Sequence, residues 1–283
     1  MFGQTKTLTA AVTVVVPGTG IPTGTVSFFD GATLIGTSTL TGGVATLTTA
    51  TLTVGSHALT ATYNGSASYN GSTSPVDTQT VNKAGTSTAL TSAPDPSVFG
   101  QPKILTATVT ATAPGTGTPT GTVSFFDGAT LIGTSALTGG VATLTTATLT
   151  VGSHALTATY NGSASYNGST SPVDTQTVNK AGTSTALTSA PDPSVFGQPK
   201  VLTATVTATA PGTGTPTGTV SFFDGATLIG TSTLTAASPP SPPRPSPSAA
   251  THSPPPTGAA PATTDRHPPS TPRRSTKPVP ALP

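Results

Sequence analysis

Hydrophobic and polar residues alternate in short runs along most of this chain. Over residues 104–112, Leu105, Ala107 and Val109 fall on one face, and Thr106 and Thr108 fall on the other. A period of two is that of a β-strand with one buried face, and no segment shows the 3.6-residue period of an amphipathic helix. The pattern therefore predicts an all-β protein.

Turn-forming residues divide these runs into strands. Glycine, proline and asparagine cluster at 113–121, Asp127-Gly128, Gly139-Gly140 and 161–169, where they favour loops and tight turns. The predicted strands of one complete unit are 86–90 continued by 98–99 after Pro94-Asp95-Pro96, 104–112, 122–126, 130–137, 141–149, 154–160 and 170–178. Such short alternating strands predict a two-sheet antiparallel β-sandwich. The core candidates are Leu105, Val109, Val123, Phe125, Leu144, Leu156 and Tyr160.

The same pattern returns every 97 residues. Phe2, Phe99 and Phe196 are equivalent, and residues 22–98 match 119–195 with one difference, Thr39 against Ala136. A fixed period of this size indicates an array of one folded unit. The predicted domains are 1–81, which lacks its first strand, 85–178, which is complete, and 182–235, which is truncated; the linkers are 82–85 and 179–182, and 236–283 is a tail.

Both ends of the array depart from the complete unit. Met1 aligns with Val98, so the first copy has no counterpart of 86–97. We expect the chain to be a fragment that lacks the N-terminal part of a longer protein, so that a missing signal peptide carries little weight. The third copy stops after about four strands and leaves Phe222 and Phe223 without a facing sheet. We expect this copy to be mobile or aggregation-prone.

The tail is interpreted as the repeat translated in a shifted reading frame. Reading plausible codons for the six residues 139–144, Gly-Gly-Val-Ala-Thr-Leu, from their second base gives Ala-Ala-Ser-Pro-Pro, the sequence at 236–240. The correspondence continues at the same offset, and only Gly258 resists it. We therefore expect the Pro-rich tail to be disordered and without selected function, since such a composition does not build a core.

Charge and composition exclude several classes of protein. Although the calculated pI is about 9.0, residues 1–235 carry five lysines and seven aspartates, a net charge of −2, and the tail alone is basic. We therefore expect no nucleic-acid partner. The absence of cysteine excludes a disulfide scaffold. No run approaches the roughly 20 apolar residues needed to cross a bilayer, so no membrane insertion is expected.

No residue pattern points to catalysis or a cofactor. His57 and His154 occur once per repeat, and we interpret them as strand-edge or turn residues. Asp30, Asp77 and Asp95 are too far apart for a clustered calcium loop, although a calcium ion at a domain junction near Asp77 or Asp95 remains an alternative. The site prediction is that catalytic, cofactor and metal residues are all absent.

Three further motifs have structural interpretations. Asn64, Asn70, Asn161 and Asn167 lie in Asn-Gly-Ser, a formal glycosylation acceptor, which we interpret as a turn signal. The loop 115–117 is no phosphate loop, because no helix or lysine follows it. The threonines at 106, 108, 110 and 112 form a ladder with three alternative roles: binding ordered water, binding ice or carrying O-linked sugar. We interpret it as the solvated face of a strand.

Several motifs together resemble bacterial Ig-like repeat domains, which occur in tandem in large secreted and surface proteins. They are the segment 97–102 leading into 105–109, then 119–125, 139–142, 152–154 and 158–162. Many relatives carry Gly-Asp where this chain has Asn161-Gly162. The resemblance implies a spacer or stalk role, an extracellular or cell-surface location, and neighbouring repeats as partners; it supplies no catalytic residues.

The leading hypothesis is a non-enzymatic structural spacer of a bacterial extracellular or cell-surface protein. The alternative is an adhesin or glycan-binding module that uses the loops at one end of the sandwich, with a host protein, surface protein or glycan as partner. The loop 161–169 is unchanged from its counterpart in the first copy, which does not favour the alternative.

Overall fold

A computed structural model of the chain describes residues 1–50 and 52–235. Over these ranges every regular element is a β-strand, which confirms the all-β prediction. The predictions of a disordered tail and of a shifted reading frame fall at 236–283, outside the described residues. We call residues 1–81 repeat 1, residues 85–178 repeat 2 and residues 182–235 repeat 3.

Repeat 2 is a complete two-sheet sandwich. Repeat 1 holds β1 Lys6–Ala11, β2 Thr25–Asp30, β3 Thr33–Thr39, β4 Val44–Thr49, β5 Gly55–Tyr63, β6 Ser72–Thr73 and β7 Asp77–Val81. Repeat 2 holds β8 Thr86–Ala93, β9 Ser97–Val98, β10 Lys103–Ala111, β11 Thr122–Asp127, β12 Thr130–Ala136, β13 Val141–Thr146, β14 Gly152–Tyr160, β15 Ser169–Thr170 and β16 Asp174–Asn179. One sheet of repeat 2 has the order β13-β10-β8, and the other has the order β12-β11-β14-β16-β9 with β15 on β14.

The sandwich departs from the antiparallel prediction at one edge. Strand β9 pairs parallel to β16, with Ser97 opposite Val178. Strands β8 and β9 belong to one extended run that passes from the first sheet to the second. Pro94 and Pro96 lie at the crossing, where their lack of an N–H donor prevents the first ladder from continuing.

Alternation fills the core of repeat 2 as the sequence predicts. Six of the seven core candidates are buried, and Leu144 is half-buried against them. The turn prediction at Gly139-Gly140 is also confirmed: both residues have positive φ, 60° and 80°. Thr138 and Val141 exchange backbone hydrogen bonds of 2.9 and 3.1 Å across this turn. Glycine adopts positive φ without steric cost, and two such residues in a row favour a tight hairpin turn.

Repeats 1 and 3 hold only parts of this sandwich. In repeat 1, β1 pairs with β4 alone, and no strand among the described residues takes the place that β8 has in repeat 2. Repeat 3 holds β17 Thr183–Ala190, β18 Val201–Ala208, β19 Thr219–Asp224 and β20 Thr227–Thr233. These strands form two separate hairpins, β17-β18 and β19-β20. Phe223 is 58% exposed; mobility or aggregation of repeat 3 stays a prediction.

Candidate functional site: the junction between repeats

The N-terminal residues of repeat 1, Phe2 and Gly3, contact two loops of repeat 2. The hydroxyl of Thr116, in the loop between β10 and β11, donates a hydrogen bond of 2.7 Å to the carbonyl of Gly3. The ring of Phe2 meets the ring of Tyr166 edge-on, with centroids 5.4 Å apart and an interplanar angle of 80°, a favourable aromatic geometry. The Tyr166 hydroxyl donates to the carbonyl of Thr116 at 3.0 Å. The two loops therefore support each other as well as the neighbouring repeat.

The linker between these repeats is part of the fold. The Ala84 N–H donates to the carbonyl of Ser165 at 2.9 Å, and its carbonyl accepts from the N–H of Asn167 at 2.9 Å. Ala84 is fully buried, and it forms a parallel bridge with Tyr166. The Lys83 ammonium donates to the carbonyl of Ser163 at 2.7 Å. Because its backbone is paired, the linker holds a fixed path.

The contact recurs one period later between repeats 2 and 3. The hydroxyl of Thr213 donates to the carbonyl of Gly100 at 2.8 Å, and its N–H donates to the carbonyl of Phe99 at 3.3 Å. The counterpart of Tyr166 falls at position 263, outside the described residues. Phe99 is 42% exposed.

Glycine is required at the first position of each contact. Gly3 has φ 72°, and a Cβ there would lie 2.7 Å from the carbonyl oxygen of Thr116. Gly100 has φ 77°, and a Cβ there would lie 2.6 Å from the carbonyl oxygen of Thr213. Gly197 has φ 82° with nothing within 4 Å. The angle favours glycine in every copy, whereas the close approach exists only where a neighbour follows.

Each histidine is buried against an aspartate, a pairing that the sequence interpretation missed. His57 lies in the interior strand β5, neither at a sheet edge nor in a turn. Its Nδ1 is 2.7 Å from Oδ2 of Asp30, and its Nε2 is 2.8 Å from the carbonyl of Thr53. In repeat 2, His154 contacts Asp127 and the carbonyl of Thr150 at the same distances.

The pair in repeat 1 favours the charged imidazole. Both partners of His57 only accept, so the imidazolium satisfies both of them and the neutral ring satisfies one. The hydrogen bond to Asp30, together with that to Thr53, raises the pKa of His57 above its usual 6.5, while burial opposes the shift. The pair braces β5 against the end of β2, where Asp30 is the last residue of the strand.

The remaining candidates take structural positions. Asp95 Oδ1 accepts from Nε2 of Gln176 and from the N–H of Thr177, each at 2.9 Å. Asn161 Nδ2 donates to the hydroxyls of Thr122 and Ser124 at 2.9 and 3.1 Å. Thr108 and Thr110 lie on the exposed face of β10.

Metal clusters and membrane-spanning helices are both absent from residues 1–50 and 52–235. There, no group of three or more His, Cys, Asp or Glu side chains is placed to hold a metal ion. In the same ranges, no helix has the length and hydropathy to span a bilayer.

Comparison with known proteins identifies the family. The model of the bacterial Ig-like domain (group 3) matches residues 1–82, 90–179 and 187–259. The chain therefore belongs to the bacterial Ig-like domain family, and it holds its domains in tandem. No curated protein matches the sequence.

Several solved structures are similar over part of the chain. The fibronectin(III)-like modules of CbhA from Clostridium thermocellum have 20% identity and a TM-score of 0.29, and the match covers 63% of this chain and 87% of theirs. The family itself is generally non-catalytic and typical of extracellular and surface proteins.

Proposed function

We propose that the chain is a non-enzymatic structural spacer of a bacterial extracellular or cell-surface protein. The observation that carries the proposal is the repeated junction, with hydroxyl-to-carbonyl distances of 2.7 Å at Thr116–Gly3 and 2.8 Å at Thr213–Gly100. Contacts that recur with the sequence period set each copy in the same way on the one before it. Length then grows by a constant step per copy, as in other repeat arrays.

The junction also bears on the adhesin alternative. The loops of repeat 2 at 112–121 and 161–168 are the ones that contact repeat 1 and its linker. Side chains and carbonyls engaged in this way are not available to a ligand at that end of repeat 2. The spacer proposal accounts for both loops, whereas end-loop binding leaves their contacts without a role.

The test measures how tightly the junction holds two repeats. Ala32 and Ala129 occupy equivalent exposed turns, and the chain has no cysteine, so Ala32→Cys with Ala129→Cys places one spin label on each repeat. Double electron–electron resonance is expected to give one narrow distance distribution. Gly3→Ala should broaden it, because its Cβ overlaps the backbone of Thr116, and Thr116→Val should broaden it less.

Thr19→Val is the matched control, since Thr19 is the equivalent of Thr116 in repeat 1 and makes no side-chain hydrogen bond to another repeat among the described residues. It should leave the distribution unchanged. A broad distribution in the parent chain, or no response to Gly3→Ala, would overturn the proposal of a rigid spacer.

A further inference from the structure

Repeat 1 carries an open groove where repeat 2 carries a strand. The groove has a volume of about 550 Å³, and it lies between β1 and the strands β5 and β7, with Val26 and Phe28 at its floor. The inward residues of β1 are Lys6, Leu8 and Ala10, and Val12 follows the strand on the same face; all four are half-exposed. Their counterparts on β10 are at most 2% exposed.

In repeat 2 the equivalent space is filled by β8. This strand pairs with β10 over eight residues, from Ile104 opposite Ala93 to Ala111 opposite Thr86. Leu90 packs against the core. Thr88 is 3% exposed, and its hydroxyl lies 2.7 Å from the hydroxyl of Ser169. The strand therefore supplies a ladder, an apolar contact and a polar contact to the second sheet.

The chain contains a second copy of this strand with no such partners. Residues 181–200 are identical to residues 84–103, so β17 has the sequence of β8. All eight residues of β17 are exposed, and Leu187 is 60% exposed. Among the described residues its one ladder is with β18, and an isolated two-stranded hairpin is marginally stable in water.

The groove matches this strand residue by residue. Inward positions of β1 are identical to those of β10, and Val26, Phe28 and Ser72 are identical to Val123, Phe125 and Ser169. We propose that repeat 1 accepts strand β17 of a second copy of this chain. In the register of repeat 2, Leu187 lies opposite Ala10, and Thr185 lies opposite Val12, where its hydroxyl reaches Ser72.

Strand β17 must come from another copy of the chain, because β17 of the same chain cannot reach the groove of its own repeat 1. Strand β14 runs about 27 Å from Gly152 to Tyr160, and Val178 pairs at its Gly152 end. The junction with repeat 1 lies at the other end, beside Tyr166. Residues 180–182 connect β16 to β17, and three residues span only about 10 Å.

When β17 enters the groove of a second copy, it gives up its antiparallel ladder with β18. It gains an antiparallel ladder of the same length with β1 and the residues that follow β1. The gain is the burial of Leu187 and the hydrogen bonds of Thr185, neither of which β17 has on its hairpin with β18. Each chain then has one groove and one donor among its described residues. The product is either a reciprocal dimer or an open head-to-tail chain.

The test is sedimentation of the full chain over a range of micromolar concentrations. With rising protein concentration, the weight-average molar mass should increase to at least twice the 27.4 kDa of one chain. Leu187→Asp places a charge in the groove and should weaken association at least ~tenfold. Ala186→Asp is the matched control, because position 186 faces solvent as Ala89 does, and it should associate like the parent. Circular dichroism checks that both variants keep their strands.

A second arm locates the contact. Ala11 and Ala186 are opposite each other in the proposed register, so oxidation of a variant with Ala11→Cys and Ala186→Cys should yield covalent oligomers. Ala11→Cys with Leu187→Cys should not, because adjacent residues of a strand point to opposite faces. A chain that stays monomeric, association that survives Leu187→Asp, or no covalent oligomer from the first cysteine pair would each overturn the proposal.

Discussion

Repeats 1 and 2 are nearly identical in sequence over the residues that they share, but only repeat 2 is a closed sandwich. Lys103 on β10 is 1% exposed, and burial lowers its pKa; its counterpart Lys6 on β1 is half-exposed. Gln176 is fully buried, whereas Gln79 is half-exposed. The residues are the same, and the difference is the segment 86–97, which supplies β8 beside β10 and the residues Pro94, Asp95 and Ser97 around Gln176. Burial of a core position is therefore set by the completeness of the fold around it, not by the local sequence alone.

The largest expected effect comes from deleting the central aromatic residue of each repeat. Phe125 is fully buried and Phe28 is 3% exposed, but Phe28 borders the groove. Phe125→Ala should lower the free energy of unfolding by about 3–5 kcal/mol. The loss for Phe28→Ala should be smaller than that for Phe125→Ala by about 1–2 kcal/mol, because water in the groove already reaches the side of the Phe28 ring.

Hydrogen exchange as a function of urea measures both effects. Peptides covering 1–15 and 98–112 differ in sequence, so mass spectrometry reports the two repeats separately. Equal losses from the two alanine variants would show that the groove does not weaken the packing of repeat 1.

A smaller effect separates β8 from its copy in repeat 3. Thr88→Val removes the buried hydroxyl that is hydrogen-bonded to the hydroxyl of Ser169. The substitution should lower the free energy of unfolding by about 1–2 kcal/mol. Thr185→Val makes the same change on the exposed strand β17 and should stay within about 0.5 kcal/mol. Urea denaturation of dilute, monomeric protein measures both variants. A comparable cost for Thr185→Val would mean that repeat 3 is closed in solution.

The smallest effect is a pH dependence in repeat 1. The folded pKa of His57 is raised by Asp30 and Thr53, so the unfolded chain releases its proton first as pH rises. The stabilisation is fully present below the usual pKa of 6.5, and it is lost as pH rises through the higher folded pKa. NMR titration of the ring should show this pKa falling in Asp30→Asn. An unchanged pKa in that variant would rule out the pair as the cause.

Alternation and turn residues predict most of the fold from sequence. Most strands begin and end within a few residues of the predicted bounds, because the period of two and the glycine turns at 139–140 are local signals. The predicted strand 170–178 is instead divided into β15 and β16, with Pro172 between them. The missing first strand of repeat 1 follows from the alignment of Met1 with Val98. The parallel edge at β9 was not predicted, because it depends on how the run crosses between sheets.

The junction was not predictable in the same way. Thr116 and Gly3 are 113 residues apart, and the loop 115–117 was considered only as a phosphate loop. Asp30 and His57 are 27 residues apart, and neither carries a local signal of pairing. Alternation shows which face of a strand is buried, but not which loop meets the next copy. The recurrence of Phe2-Gly3 as Phe99-Gly100 was a sequence signal that this position has a common role in each copy.

The most direct test compares amide exchange of β1 and β10 at a dilution where the chain is monomeric. The account predicts that β10, paired on both sides, exchanges far more slowly than β1, which has an open edge. A peptide with the sequence of β17, added in excess, should slow exchange in β1 alone. Equal protection of the two strands without the peptide would contradict the claim that a single strand decides which copy is closed.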